Sequence, residues 1–410
     1  MLNKLHSIRR TVLCAVLAVF ASGLSAAPAY RNPAGSQFPI LAWYSVLGDD
    51  ELTPERYREL SEAGINISFS HLEHNTQIEK ALKACNGSGV KLIITSYELV
   101  DSTAATVERF KNNPNVAGYF LRDEPVVADF PALRRFRDRV YAADTTRLPY
   151  MNLFPSFVEP QQLGVKNYDE YVQRFIDEID IPMVSFDLYP IVCVDGRIFV
   201  RDTFFSNLES VSRVAKANSR PFWAFCLATQ HGPYPLPTAV HLRHEAFSAL
   251  AYGAQGIQYF TYWTPRSKHS ETWDYRNAPI DETGHRSSVW YLMRDLNREI
   301  QSLKWAFLGS EVIDVAHTGD SIPEGTHRLN KLPSEFQFLN ADGKGVLVSQ
   351  FKNGKNNFLM IVNRDIDRSQ NITLRKDRKV TRVLSDGSTI KDNNEIAVIA
   401  PGDYLLYTWR

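Results

Sequence analysis

One pattern constrains the fold more than any other. Between residues 39 and 262, a short run rich in Ile, Val, Phe and Tyr is followed by a helical stretch, and this happens eight times. The runs are 39–45, 65–70, 91–97, 116–122, 148–153, 182–188, 221–227 and 256–262. They recur roughly every 25 to 35 residues, the length of a β-α unit. Several are apolar on both faces, as parallel strands covered by helices must be. The helices have readable signals. Thr53-Pro54 is an N-cap followed by Pro at the first helical position, and Gly64 ends that helix. Ile78, Leu82 and Cys85 share one face of the next helix. Residues 129–141 and 240–252 also read as helices, and 288–305 carries Val289, Leu292, Leu296, Ile300 and Leu303 at helical spacing. Eight strands with eight helices is the count of a closed (β/α)8 TIM barrel. A doubly wound open sheet usually has a Gly-rich phosphate turn after its first strand, where this chain has Tyr44-Ser45-Val46-Leu47.

From about residue 311 the texture changes to short alternating runs: 336–339, 345–351, 357–362, 371–374, 380–384, 395–399 and 404–409. Turn signals such as Asp342-Gly343, Asn353-Gly354, Asp386-Gly387 and Pro401-Gly402 separate them. An α/β chain results, with a barrel over 30–310 and a C-terminal antiparallel β-sandwich over 311–410, whose expected role is packing support. At the other end, Lys4, Arg9 and Arg10 precede an apolar stretch over 11–20, too short to span a bilayer. Small residues up to Ala26 follow, so residues 1–26 read as a signal peptide. Cys14 lies inside the apolar stretch rather than after it, against a lipid-anchored Cys. The expectation is an exported protein, periplasmic or extracellular, and not an integral membrane protein.

Lys plus Arg and Asp plus Glu both number 46, so no basic field draws nucleic acid. Cys85, Cys193 and Cys226 remain after cleavage. Their odd number and wide spacing fit neither a disulfide framework nor a metal site, and burial is expected for at least two. No cofactor or metal is expected.

Barrel enzymes place their chemistry at the C-terminal ends of the strands. Those ends offer Trp43, Tyr44 and Ser45; His71; Tyr97 and Glu98; Arg122, Asp123 and Glu124; Asn152; Asp187 and Tyr189; Gln230 and His231; and Tyr262 and Trp263. The fourth is the most informative. Two adjacent carboxylates resist double ionisation, so one is held protonated and can serve as a general acid. The plainer alternative makes Asp123 a helix cap and Glu124 a partner of Arg122. Tyr262 and Trp263 suit stacking on a sugar face, with core packing as the alternative. His71, Asn152, Gln230 and His231 are candidate hydroxyl ligands, and Trp273-Asp274-Tyr275 a candidate pocket wall.

The stretch "LRDEP" around Glu124 resembles the strand-four acid motif of (β/α)8-barrel glycoside hydrolases, whose common form is Asn-Glu-Pro. The stretch from Glu245 through "AYGAQGIQYFTYW" to "APIDETGHRS" is similar to the late barrel of β-galactosidase-like hydrolases, and "PGDYLLYTW" to the last strands of the β-domains these carry. The resemblance spans most of the mature chain and implies a glycosidase acting on carbohydrate. Two departures matter. Asp123 stands where Asn is usual, and the seventh run, ending Leu227-Ala228-Thr229-Gln230, has no carboxylate where retaining members place their nucleophilic Glu. Three readings follow. Substrate-assisted hexosaminidases use an Asp-Glu pair on strand four; by that resemblance Asp123 orients an acetamide, Glu124 is the acid/base and Tyr189 helps hold the intermediate. Alternatively Asp187 is the nucleophile or base, the separation of the carboxyls deciding retention or inversion. The third is a carbohydrate-binding barrel without catalysis.

Overall fold

The protein is described by a computed structural model covering residues 29–265 and 273–410; the expected signal peptide lies outside the described residues. Eight strands form one parallel sheet: β1 (Ile40–Trp43), β2 (Ile67–Phe69), β3 (Lys91–Ile94), β4 (Val116–Asp123), β5 (Leu148–Asn152), β6 (Val184–Phe186), β7 (Phe222–Leu227) and β8 (Ile257–Phe260). Their order is β5-β4-β3-β2-β1-β8-β7-β6. The two ends of that order meet where the Leu153 N–H donates to the Ser185 carbonyl at 2.8 Å and Leu153 bridges to Phe186. The sheet therefore closes into the expected TIM barrel, with no edge left to pair elsewhere.

Aromatic rings fill much of the barrel interior. The Trp43 ring lies 4.3 Å from Phe69, 5.7 Å from Phe120 and 5.6 Å from Phe225 between centroids. Pairs of this kind add about 0.5–1.5 kcal/mol each beyond the area they bury. At the N-terminal end the Trp223 indole N–H donates to the Tyr30 hydroxyl at 3.2 Å, so the segment before β1 plugs the barrel floor. A second apolar layer lies between strands and helices, with Ile40, Leu60, Ile78 and Val107 buried in it.

β4 is the longest barrel strand, and two irregularities shape it. Its register slips around Ala117 against β3 and around Leu121 against β5. The second slip places one extra residue in the strand, which reverses the in-out alternation. Phe120 faces the interior, and Asp123, not Arg122, is the next residue to face the cavity. Gly118 makes this approach possible: a Cβ there would lie 2.2 Å from the Leu148 carbonyl oxygen of β5.

Two elements differ from expectation. β3 stops at Ile94 instead of reaching residue 97. Ser96 caps a short helix, Tyr97–Asp101, its hydroxyl accepting from the Leu99 N–H at 3.0 Å. Capping turns the chain away, leaving Tyr97 exposed and Glu98 beside His74. After β6 a two-stranded ribbon, Ile191–Val194 and Arg197–Val200, rises where no strands were expected. Asp195 and Gly196 at its tip both have left-handed φ, 51° and 76°, the geometry of a two-residue hairpin turn.

The C-terminal strands form a six-stranded and a three-stranded antiparallel sheet around a shared core that includes Phe336, Val348, Ile361 and Tyr407. This is the expected β-sandwich, with two strands the sequence pattern did not reveal, Glu311–His317 and Thr389–Lys391. It docks on the helix Ala239–Ala251. Arg243 joins Glu299 of the barrel at 2.5 Å and Asp403 of the sandwich at 2.6 Å, and the Ser349 hydroxyl donates to the Ala251 carbonyl at 2.6 Å. Cys85 and Cys226 are buried thiols. Among the described residues no helix is long and apolar enough to cross a membrane.

The same helix carries Glu245, whose Oε2 accepts from the Leu227 N–H at 2.6 Å beneath the end of β7. Burial pushes its carboxyl from 4.5 to about 8. A group raised in the folded state stabilises fully below its unfolded value and loses that contribution as pH rises through its folded value. Glu245→Gln keeps a neutral acceptor for Leu227. The variant is therefore expected to gain melting temperature relative to the parent between pH 5 and about 8 and to hold that gain above it. A difference independent of pH in paired thermal melts would contradict this.

Candidate active site

The C-terminal mouth of the barrel opens into a cavity of about 490 Å³. Three carboxyl groups reach its wall: Asp123 at the end of β4, Glu124 one residue later, and Asp187 just after β6. Glu124 has φ 45°, in the left-handed region that non-glycine residues rarely occupy, and Tyr44 in the opposite wall has φ 50°. Such conformations persist where surroundings over-determine them, and they cluster at functional sites. At Glu124 the determinant is visible. Its N–H donates to the Asn152 carbonyl at 2.8 Å, extending the β4–β5 ladder past the end of the strand.

Asn152 organises the acids. Its Nδ2 donates to Asp187 Oδ1 at 2.8 Å and to Asp123 Oδ1 at 3.3 Å. Its Oδ1 accepts from the Ser185 hydroxyl at 2.9 Å, which in turn accepts from Gln258 Nε2 at 2.8 Å. Tyr150 completes the network by donating to Gln258 Oε1 at 2.5 Å. This chain of buried polar groups joins β5, β6 and β8. The Ser185 bond fixes which end of the amide faces the acids.

All three acids are shifted upward. Desolvation raises Glu124 most, and the negative charges of Asp187 and then Asp123 add to it. Asp187 is raised by burial and then by Asp123, with hydrogen bonds from Asn152 and Tyr189 working against the rise. Asp123 is raised by desolvation to about 6, opposed by Asn152 and by the charge of Arg122. Three carboxyls this close cannot all ionise near neutral pH, so the site retains protons there.

The rest of the wall is aromatic. Tyr189 and Phe260 lie 5.7 Å apart between centroids, and His231 sits 4.6 Å from Tyr275 and 4.7 Å from Tyr234. Burial lowers the His231 imidazole to about 4, so it is neutral at pH 7. Trp43 and Phe225 form the floor, and Phe154, Phe157 and Trp273 form the rim.

Most of the residues singled out from the sequence converge here: Asp123, Glu124, Asp187, Asn152, Tyr44, Tyr189, His231 and the Trp273 and Tyr275 pair. Four expectations need correction. Tyr262 and Trp263 do not line the cavity; each is 1% exposed. β8 ends at Phe260, and the chain continues alongside the end of β1, Tyr262 and Trp263 donating their N–H groups to the Trp43 and Tyr44 carbonyls at 2.9 and 3.0 Å while their rings pack in the layer between strands and helices. The Tyr262 hydroxyl accepts from Trp290, and Trp263 lies under the Arg56 guanidinium. Phe260 takes the place expected of them. Gln230 lies outside the cavity and accepts from Asn277 at 2.8 Å, tying the loop after β7 to the one after β8. His71 packs behind Tyr44 and Trp43, at 5.6 and 5.9 Å, rather than lining the cavity.

The wall residues missed in the sequence, Phe154, Phe157, Tyr234 and Phe260, sit in or beside loops, where strand periodicity says nothing. Phe154 and Phe157 had one available signal, their place immediately after β5 on the catalytic face.

No protein-family model matches the sequence, and no curated protein matches it. Solved structures do. A β-galactosidase from Bacillus circulans sp. alkalophilus aligns with a TM-score of 0.61 at 10% identity, covering 92% of this chain and 99% of that one. A catalytic mutant of a GH42 β-galactosidase from G. stearothermophilus aligns with a TM-score of 0.62 at 8% identity, covering 92% and 98%. At such identities the likeness establishes the architecture. The chain shares with these structures a (β/α)8 barrel followed by an antiparallel β-sandwich.

The proton held among the acids can be observed directly. Infrared difference spectra of the parent against Glu124→Gln are expected to show a protonated-carboxyl band at pH 6 that disappears by about pH 9. A difference spectrum without that band at pH 6 would mean that Glu124 is ionised there.

Proposed function

We propose that this protein hydrolyses O-glycosidic bonds of an oligo- or polysaccharide, with Glu124 as general acid/base and Asp187 as the second carboxylate. The observation that carries this reading is the convergence of these two acids on one aromatic-walled cavity at the catalytic end of the barrel. Glycoside hydrolysis needs one carboxyl to protonate the leaving oxygen and a second to attack the sugar carbon or activate water. Glu124, raised by burial and by Asp187, is suited to hold the first proton. Asp187, held by Asn152 and Tyr189, has the hydrogen bonds that support an anion once that proton moves. It supplies the carboxylate that the end of β7 lacks. The aromatic rings offer faces for sugar C–H groups, and the solved structures of like fold that are named β-galactosidases agree with a carbohydrate substrate.

A second reading keeps Glu124 and gives Asp123 the task of orienting a substrate acetamide, Tyr189 assisting. Its support is that Asp123 lines the same cavity, is held by the same Asn152 amide and is the least shifted of the three acids. A panel of aryl glycosides and glycans, with and without N-acetyl groups, separates the two. Hydrolysis of plain glycosides supports Asp187, and activity confined to N-acetylated sugars supports Asp123.

Glu124→Gln is expected to lower kcat by roughly 10²–10⁴-fold, and Asp187→Asn by a similar factor on plain glycosides. Near-normal hydrolysis by Glu124→Gln would remove Glu124 from the mechanism. Tight glycan binding in calorimetry without released reducing ends would make the barrel a carbohydrate-binding protein.

We propose that residues 1–26 act as an export leader, which would put this activity in the periplasm or medium. N-terminal sequencing of the exported protein is expected to begin just after Ala26. A start at Met1 would refute export by this leader.

A further inference from the structure

Arg201 follows the ribbon that rises after β6, and its backbone N–H donates to the Pro190 carbonyl at 2.7 Å, next to Tyr189. Its guanidinium carbon lies 5.1 Å from the centre of the Phe157 ring and 5.7 Å from that of Tyr234, two rings of the cavity wall. Among the described residues its one side-chain hydrogen bond is a 3.4 Å contact from Nη2 to the Tyr234 hydroxyl, its buried Nε has no partner, and no carboxylate pairs with it. Three other arginines among the described residues have a buried, unpartnered Nε, and each makes further bonds: Arg147 donates to the Thr146 hydroxyl and the Asn113 carbonyl, both at 3.3 Å. Arg220 pairs with Asp180 at 2.8 Å, and Arg364 donates to the Thr318 and Ser321 carbonyls.

A guanidinium has five donors in a planar fork, and withdrawing it from water without oxygen partners is costly. Arg201 is partly exposed and is not itself among the residues lining the cavity; packed on Phe157 and Tyr234, which are, it lies just outside that lining, where its fork is available to a group extending beyond the cavity. The ligand that completes such a fork is a planar carboxylate or the oxygens of a sulfate ester. The protonated acids deeper in the cavity oppose a negative substituent less than three carboxylates would.

We infer that Arg201 forms a subsite for an anionic substituent of the glycan, a uronate carboxylate or a sulfate ester, on a sugar next to the one that is cleaved. This rests on the reading of the cavity as a carbohydrate site but not on hydrolysis.

The test is binding. A glycan array with neutral, uronate-bearing and sulfate-bearing members is probed with the full chain, and hits are measured by calorimetry on parent and Arg201→Gln proteins of equal melting temperature. Acidic glycans are expected to bind more tightly than their neutral counterparts. The Arg201→Gln change should weaken the acidic ligand about 30-fold, as expected on truncating one side of a desolvated charge pair, and at least ten-fold more than the neutral one. Arg201→Lys should recover part of the loss, since it keeps the charge without the fork. The uronate and sulfate arms identify which anion is taken. Equal losses on acidic and neutral glycans, a preference for neutral glycans, or no acidic glycan bound at all would each overturn the subsite. If acidic glycans bind through Arg201 but are not cleaved, the hydrolase reading fails and the subsite stands.

Discussion

One amide nitrogen holds this site together. Asn152 Nδ2 faces two carboxyl groups from two different strands, and it does so because Oδ1 is committed to Ser185 on its other side. Turned around, the amide would present an oxygen to two acids, and repulsion would push Asp123 and Asp187 apart. The direction of the amide is therefore relayed from Gln258 and Tyr150, deep in the barrel, through Ser185. Every member of that relay is buried. A half-satisfied network in such a place costs more than an apolar core, and this one is closed on the acids themselves. Glu124 depends on the same residue through the backbone, since the Asn152 carbonyl holds the Glu124 N–H in its left-handed turn.

The barrel was legible because its physics repeats. A parallel strand covered on both faces must be apolar throughout, and eight such runs separated by helices leave one closed solution. The acids were legible for the same reason, since Asp123, Glu124 and Asp187 sit where apolar runs break off. The failures have local causes. Tyr262 and Trp263 continue the aromatic texture of β8, but the strand ends at Phe260 and nothing in composition distinguishes a ring facing the cavity from one in the layer between strands and helices. The bulge at Leu121 decides that Asp123 rather than Arg122 faces inward, and a bulge has no signature in a run of apolar letters. The ribbon after β6 did have one, the Asp195-Gly196 turn, hidden because a strand-helix count leaves no place for a hairpin inside a β-α unit.

The absence of an acid at the end of β7 becomes intelligible in three dimensions. That end contributes Phe225 and, further on, His231 and Tyr234 to an aromatic wall. His231 is buried against Tyr275 and Tyr234 and is held neutral, so it adds a polar edge without a charge. Negative charge is thus confined to one side of the cavity, from β4 to β6. The side from β7 to β1 contributes rings and no carboxylate, whereas Phe154, Phe157 and Tyr189 add rings to the acid side as well.

The acids and the rings are also carried by different kinds of structure. Strand ends and a buried polar relay position the carboxyl groups, whereas much of the wall hangs on excursions: the segment around Phe157, the ribbon leading to Arg201, and the Gln230–Asn277 tie that seats Trp273 and Tyr275. None of these excursions belongs to the closed sheet, although Val192 of the ribbon packs into the interior core. The chemistry and the choice of substrate can therefore change at different rates over evolutionary time. Under the proposed reading, an exchanged loop would alter what the cavity accepts and leave the acids in place, and the barrel beneath need not register the change.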